Sequence, residues 1–173
     1  MESSAAPCVP EAVKRLDPIP GVEETVAQSS VAESGVAMTR FPTDHHLASG
    51  AGMGPGNHES AGKRQSGKTT KGSRYLWAAL GQAAWAASHH KETELAAQYK
   101  RLVKRRGKQK ALVAVGHSLL ISVYHVLQDR TSYPDLGGDY CARRHVDKQR
   151  TRLMRQLESL GVKVTVEEVK EAA

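Results

Sequence analysis

The stretch KALVAVGHSLLISVYHVL, residues 110–127, decides the fold because it contains the longest apolar run of the 173-residue chain. Its apolar residues lie almost all round a helix of period 3.6, which is typical of a helix buried on most sides. Gly116, His117 and Ser118 interrupt the run, so we expect it to be too short and too polar to span a membrane. The stretch therefore predicts the central helix of a bundle, with no membrane partner.

The segments on either side of it predict the helices that cover it. Only 5% of residues are aromatic, so a core of Ala, Leu and Val is expected, which favours helices over sheets. Thr43 and Thr93 are predicted N-caps, and Gly107 is predicted to end a helix. Helices are predicted over residues 11–16, 23–34, 38–49, 73–88, 93–106 and 146–160.

The predicted fold class is all-α, a small helical bundle with an N-terminal helix-hairpin-helix-like unit and a long glycine-rich basic loop. One domain is expected over residues 11–144. A disordered leader, residues 1–10, precedes it, and a charged C-terminal helix and tail, residues 145–173, follow it.

The N-terminal unit has two interpretations. Residues 17–22, DPIPGV, place two prolines and a glycine between the first two predicted helices, which forces a tight turn. Helix, Pro-Gly turn and helix together outline a helix-hairpin-helix, which holds a backbone phosphate on turn and helix-start amides. Glu23 and Glu24 at that start would repel a phosphate. A plain helix corner is therefore the alternative.

The aromatic and histidine side chains of the predicted helices favour structural roles. Trp77 and Trp85 lie eight residues apart on one side of the helix over 73–88, and we expect core or groove-wall positions for them rather than base-stacking platforms. His117 and His125 are also eight residues apart, which is not the spacing of a metal-binding pair on a helix.

The positive charge of the chain is concentrated in one third of it. The formal net charge is +7, and residues 60–110 carry thirteen basic and two acidic side chains, whereas residues 1–59 carry three basic and eight acidic ones. Such a concentration is typical of a nucleic-acid-binding face, and a solvated basic surface is the alternative. One face of the helix over 93–106 contributes a dense basic patch with the residues that follow it, namely Lys100, Arg101, Lys104, Arg105, Arg106, Lys108 and Lys110.

The two cysteines indicate a reducing environment. Cys8 and Cys141 are far apart and belong to no CxxC pair, so neither a disulfide framework nor a zinc site is predicted. Residues 1–10 lack the basic and apolar regions of a signal peptide. We therefore expect a cytoplasmic protein.

The stretch GAGMGPGNHESAGKRQSGKTTKGS, residues 50–73, predicts a phosphate-handling loop. It contains seven glycines, four Lys and Arg residues and one acid, with Ser60 near its centre. Glycines let a backbone adopt positive φ and approach a polyanion closely.

Residues 62–69 of this loop also match the GxxxxGK[ST] pattern of nucleotide-binding P-loops. A P-loop needs a buried strand before it and a helix beginning at its lysine, here Lys68. The residues before it contain no apolar run, and Gly72 would interrupt the first turn of the helix. A nucleotide-binding protein is therefore the less favoured alternative.

Segments along most of the chain resemble the C-terminal half of the insertion sequence 110 family of transposases. The resemblance covers residues 11–144, and NHESAGKR with the following KGSRYL is its most specific part. The segments are IPGV at 19–22, TRFPT at 39–43, HLAS at 46–49, GPGNHESAGKRQSGKTTKGSRYL at 54–76, AAWAA at 83–87, AAQYKRL at 96–102, RRGKQKALVAVGHSLL at 105–120 and YHVLQD at 124–129.

This resemblance implies a DNA recombinase of two parts. An N-terminal RuvC-like half binds Mg²⁺ through four acids, and the C-terminal half supplies a serine that attacks a DNA phosphate. A structured guide RNA selects the DNA sites. By position, Ser60 would be the nucleophile, since the family's motif is Ser60-Ala61-Gly62 here. The residues that would hold phosphates nearby are Lys63, Arg64, Lys68, Lys71 and Arg74.

The acidic half has no counterpart in this chain, so we expect a truncated transposase that holds no cofactor itself and meets Mg²⁺ only with a RuvC-like half. Its expected partners are DNA, possible guide RNA, and full-length transposase copies or a homo-oligomer, in a nucleoid-associated location. Two hypotheses remain open. The chain is either the serine-bearing part of a transposase active with a partner in trans, or a catalytically silent nucleic-acid-binding remnant.

Overall fold

The computed structural model of the protein describes residues 8–54, 56, 58–66, 68–69 and 71–161. Within these residues the chain forms seven α-helices and one two-stranded antiparallel hairpin, so the predicted all-α bundle is confirmed. The elements are α1 (Val9–Leu16), α2 (Glu24–Ser34), α3 (Asp44–Gly50), β1 (His58–Ser60), β2 (Lys63–Ser66), α4 (Arg74–His89), α5 (Glu94–Arg106), α6 (Lys108–Asp129) and α7 (Tyr140–Ser159).

Helix α6 is the centre of the bundle, as its apolar sequence predicted. It packs against α4 and α5 most extensively, and against α3 and α1 as well. Val115, Leu119 and Val123 on α6 are completely buried. Because neighbours cover α6 on several sides, its apolar residues are not confined to one stripe.

The expectation that this segment is too short and too polar for a membrane span is wrong by length and composition. Helix α6 has 22 residues, which is long and apolar enough for one. Half of its most apolar window is buried inside the bundle, as in the core helix of a soluble protein. The contacts with the other helices account for the apolar composition.

Helices α4 and α5 begin at side-chain caps. The Oγ of Ser73 accepts a hydrogen bond from the Leu76 amide at 3.2 Å, and the Oγ1 of Thr93 accepts one from the Ala96 amide at 3.3 Å. Both caps satisfy an amide that a helix start would otherwise leave unpaired. On α4 the small residues Ala83, Ala84 and Ala87 are buried and let the neighbouring helices approach closely.

The N-terminal unit is a helix corner packed on α4. The Val22 amide donates to the Ile19 carbonyl at 2.9 Å, and Gly21 has φ of 84°, as a type II turn with proline at its second position requires. A Cβ on Gly21 would stand 2.4 Å from the Ala83 carbonyl oxygen of α4. The turn therefore faces the protein, which supports the helix-corner interpretation over the phosphate-binding one.

The single helix predicted over 38–49 is interrupted. Residues Met38–Arg40 form a short 3-10 helix, and α3 begins only at Asp44. Pro42 is the physical reason, because the residue before a proline is driven out of the helical region, and Phe41 is extended with φ of −115° and ψ of 110°. Thr43 occupies the predicted cap position, but its Oγ1 lies 2.8 Å from the Nδ1 of His46 and caps no backbone amide.

Helix α7 begins at Tyr140, six residues before the predicted start, and packs against α5. Residues 140–145 lack the apolar repeat that marks a helix in sequence. Val146, Leu153 and Leu160 are exposed along the helix and just beyond its end.

Candidate nucleic-acid interface

The basic loop leaves α3 through a capped helix end. The Met53 amide donates to the Ala48 carbonyl at 2.9 Å and the Gly52 amide to the Ser49 carbonyl at 3.1 Å, which is the bonding pattern of a Schellman motif. Met53 is buried against α6, where a Cβ on Gly116 would stand 3.2 Å from its sulfur. The start of the loop is therefore held against the central helix.

The loop returns to the same place before α4 begins. A Cβ on Gly72 would stand 2.3 Å from the Ala51 carbonyl carbon, and the Ser73 amide donates to the Gly50 carbonyl at 3.2 Å. The glycines of the loop as a group were expected to let its backbone approach a polyanion, and Gly72 is one of them. It instead leaves room for the protein's own backbone.

Within the loop, β1 and β2 form a tight hairpin rather than the irregular loop that was predicted. Ser60 pairs with Lys63 across a two-residue turn made by Ala61 and Gly62. Ala61 has φ of 49° and Gly62 has φ of 74°. Positive φ at both central positions is the requirement of a type I′ turn, whose twist matches that of the flanking strands.

Ser60, the predicted nucleophile, lies at the end of β1 beside this turn and is exposed. Residues directly opposite in an antiparallel pair have Cβ atoms about 5 Å apart, so the Lys63 side chain starts next to the Ser60 hydroxyl. Among the described residues, no hydrogen-bond partner engages that hydroxyl. The serine is therefore accessible, with a cation beside it.

A groove of about 1050 Å³ lies between α5 and α6, and Lys68 of the loop is one of its lining residues. We call it the basic groove. Its cationic lining residues are Lys68, Arg101, Arg106 and Lys110, and no Asp or Glu in the described part of the chain lines it. Leu102 and Val113 add apolar surface. The Nε2 of Gln98 donates to the Ser118 Oγ at 2.9 Å, which links α5 to α6 beside the groove.

His117 lies at the wall of the basic groove in its neutral form. Burial lowers the pKa of His117 below its ordinary value, and the nearby charge of His45 lowers the pKa further. The carboxylate of Asp44 and the backbone of Met53 oppose this shift. The His117 Nδ1 is buried and has no hydrogen-bond partner among the described residues.

The structure separates the predicted basic residues into several places. Arg101 lines the basic groove, whereas Lys100 lines a different cleft, which it shares with Glu92, Asp139 and Arg143. Lys63, Lys71, Arg74, Lys104 and Arg105 are exposed, and the side chain of Arg64 lies outside the described residues. Lys71 precedes α4 and Arg74 begins it, where the helix dipole adds positive potential.

Sequence reasoning did not single out Arg106, Lys110, Thr69 or Gln98 as site residues. Arg106 and Lys110 were predicted as part of the basic patch. Helix periodicity could not show that they line one groove with Lys68, because the chain reverses at Gly107 between α5 and α6. Gln98 lies three residues before Arg101 on α5, and that spacing was the available signal.

A second cleft, of about 710 Å³, separates α5 and α6 from the segment over residues 131–136. Burial raises the pKa of Tyr133 in this cleft to about 12, and the carboxylates of Asp135 and Glu94 add to the shift. The cleft has a mixed lining that includes Arg101, Asp129 and Glu94, and it lacks the uniform charge of the basic groove.

The described residues do not form a P-loop. Lys63–Ser66 is one strand of a two-stranded hairpin rather than a strand of a larger sheet, and α4 begins at Arg74, six residues after Lys68. Backbone amides and a helix start therefore do not converge on a nucleotide phosphate at Lys68.

The described part of the chain also contains no group of three or more His, Cys, Asp or Glu side chains that could hold a metal ion. These residues do not fit the Mg²⁺ site that the resemblance implies for the acidic half of such enzymes.

Residues 13–100 match the protein family described as Transposase IS116/IS110/IS902 family. The chain belongs to this family. The matched residues include the hairpin with Ser60, all of α4 and the first half of α5, so the loop and its anchors lie within the family segment. A search of curated proteins found no match to the chain. Membership of the IS116/IS110/IS902 family supports a transposase or recombinase role, with DNA as a partner.

Proposed function

We propose that this protein acts in DNA transposition by holding DNA along the basic groove while Ser60 attacks a DNA phosphate. The observation that carries the proposal is the composition of the groove. The loop contributes Lys68, α5 contributes Arg101 and Arg106, and α6 contributes Lys110, and the lining residues that the structure describes include no carboxylate. A cationic lining attracts a polyanion and repels a cation.

The cations of the groove would bind the phosphate backbone without reading sequence. Lys and Arg contacts to phosphates release condensed counterions, so the affinity should fall steeply as the salt concentration rises. The apolar surface of Leu102 and Val113 can contact the sugars. Choice of a DNA sequence would then come from elsewhere, and a guide RNA is consistent with that division.

Ser60 lies within reach of the same DNA. Its Cα is about 5.5 Å from the Cα of Lys63, its partner in the hairpin. The five residue steps from Lys63 to Lys68 span at most about 18 Å. The Cα of Ser60 therefore lies no more than about 24 Å from that of the groove residue Lys68. A duplex bound in the groove could therefore extend to the hairpin.

The proposed reaction forms one bond and breaks one. The Ser60 Oγ forms a bond to a phosphorus of the DNA backbone, and the bond between that phosphorus and one deoxyribose oxygen breaks. The hydroxyl proton passes to a carboxylate supplied from outside the described residues, and the leaving oxygen takes up a proton from solvent. Lys63 would stabilise the charge that develops on the phosphate oxygens.

The binding half of the proposal is tested by salt-dependent titration of duplex DNA. Arg101→Gln with Lys110→Gln should weaken binding at low salt and reduce the slope of log affinity against log salt by about two, one for each lost phosphate contact. The control Lys14→Gln removes an exposed charge from α1, outside the groove. Equal slopes for the groove variant and the wild type would contradict the binding half.

The chemical half is tested by strand transfer with a full-length copy of the family supplied in trans. The wild type should form a covalent protein–DNA adduct, and Ser60→Ala should abolish it without loss of DNA affinity. Ser132→Ala, at an exposed serine outside the hairpin, is the control. If the wild type forms no adduct while DNA binding persists, the hypothesis that Ser60 is a nucleophile is wrong. The catalytically silent alternative then takes its place.

A further inference from the structure

Both tryptophans of the chain are at the surface, which excludes the core position, one of the two that were expected for them beside a groove wall. Trp77 is 44% exposed and Trp85 is 59% exposed. Eight residues separate them on α4, a rise of about 12 Å along the axis. Indole rings contribute large buried areas when they are covered, so two uncovered ones on one helix indicate a surface that binds something.

The helix surface between the two rings carries small residues and is accessible. Gly81 lies midway between Trp77 and Trp85, and a Cβ added to it would meet nothing within 4 Å. Ala78 lies on the same side and is exposed. A flat group could therefore lie against the helix between the two indoles. We call Trp77, Ala78, Gly81 and Trp85 the tryptophan face.

The ring of Trp85 is held in place by a neighbouring side chain of α4. The His89 ring packs on the Trp85 ring with their centroids 4.3 Å apart, and the His89 Nδ1 donates to the Trp85 carbonyl oxygen at 2.8 Å. Fixing the ring in advance reduces the entropy that a ligand must offset on binding.

The tryptophan face carries positive charge at both ends but has a carboxylate near one of them, because the Ser73 Oγ donates to the Glu33 Oε2 at 2.7 Å directly before Arg74. No carboxylate occurs in the sequence between Glu59 and Glu92, so α4 carries none, and cations lie at both ends of it, with Arg74 at the start and Lys91 just beyond the end. Ala86, about a quarter turn round α4 from Trp85, and His90, just beyond the helix, share a cleft with the carboxylates of Asp17, Glu23 and Glu24.

We infer that the tryptophan face binds an unpaired strand of nucleic acid, with bases stacked on Trp77 and Trp85 and phosphates near Arg74 and Lys91. Every base has a π-face, so stacking on aromatic rings within a basic surface is how proteins bind single strands without sequence preference. Bases in a duplex are stacked on one another and cannot make this contact. The inference rests on the proposed nucleic-acid function and adds that one ligand is single-stranded.

The two tryptophans also provide the measurement, because the chain has no others. Titration with an oligothymidylate of about 12 nucleotides, within the site sizes of single-strand binders, should quench the tryptophan fluorescence, whereas the same length of duplex should not. An oligouridylate titrated in parallel shows whether the strand is DNA or RNA. Quenching by either single strand supports the inference.

Substitutions connect the signal to the face. Trp77→Ala and Trp85→Ala should each weaken single-strand binding about tenfold, with duplex binding unchanged, and Trp85→Phe should restore most of the affinity. Leu153→Ala on α7, another exposed apolar residue, is the control. Circular dichroism of each variant verifies the fold, which exposed side chains should not disturb.

Three results would overturn the inference: no quenching by either single strand, equal quenching by duplex, or a blue shift on raising the concentration of the nucleic-acid-free protein. The third would show that a second copy covers the face. The double variant Arg101→Gln, Lys110→Gln separates this test from that of the basic groove. It should lose duplex affinity and retain quenching by the single strand.

Discussion

The Cα of Gly72 lies directly against the backbone of Gly52, so that a Cβ on Gly72 would stand 2.0 Å from the Gly52 amide nitrogen. This contact joins the end of the basic loop to its beginning. The Ser73 amide and the Gly50 carbonyl hydrogen-bond beside it at 3.2 Å. The loop is therefore closed by backbone contacts, and Lys63 and Lys71 within it are exposed.

We expect Gly72→Ala to lower the free energy of unfolding by about 1–3 kcal/mol, because the added methyl group meets backbone that cannot rotate away. Thermal and denaturant unfolding measure the change. Gly81→Ala is the matched control, since the Cβ there meets nothing within 4 Å and alanine favours a helix by about 1 kcal/mol. Equal stability of the wild type and Gly72→Ala would contradict the close contact.

The hairpin turn predicts a second result. Ala61 adopts φ of 49°, in a region that costs residues with a Cβ about 1–2 kcal/mol. Ala61→Gly should stabilise the hairpin by about 1 kcal/mol, and Ala61→Asn by somewhat less. Hydrogen exchange of the hairpin amides should slow accordingly. Ala61→Val should accelerate it, and the reverse order would show that the turn is not of type I′.

His117 predicts an acid-dependent loss of stability. Burial lowers the pKa of His117 in the folded state below its unfolded value of 6.5, so the unfolded chain binds the proton more tightly. This contribution is present above pH 6.5 and is lost as the pH falls through 6.5 towards the lowered folded value. His117→Leu should flatten the dependence of unfolding free energy on pH between 7.5 and about 5.

Nuclear magnetic resonance titration of the His117 ring measures the pKa directly. A His117 that titrates at or above its ordinary pKa would contradict the burial of its ring.

Tyr133 predicts the opposite behaviour in alkali. Its pKa in the folded state is raised to about 12, from 10.0, so the unfolded chain loses its proton first. Stability should therefore fall as the pH rises from 10 towards 12, and Tyr133→Phe should remove part of that fall. Phenolate absorbance and unfolding at each pH provide the measurements.

The periodic parts of the fold were predictable because their residues obey local rules. The caps Ser73 and Thr93 and the stop at Gly107 place α4 and α5 to within one or two residues, since a side-chain acceptor and a positive φ act on their immediate neighbours. The break at Pro42 is also a local effect. It was not predicted, because the apolar residues on both sides of Pro42 have the spacing of one continuous helix.

The candidate site was less predictable because its parts are distant in sequence. The concentration of positive charge over residues 60–110 and the position of Ser60 in its motif were evident from the chain. The hairpin was not, since β1 and β2 bury no apolar face and have no alternating pattern. Nor could any pattern show that Lys68 lines the same groove as Lys110.

The sequence by itself determined the helical class, the central position of α6 and the resemblance that pointed to the family, because these depend on periodicity, composition and short motifs. Only the tertiary structure decided that Gly72 packs on Gly52, that Lys68 joins the cations of α5 and α6, and that both tryptophans are exposed. The physical reason is that helix periodicity shows which residues share a face. Which faces are covered depends on packing between segments far apart in the chain.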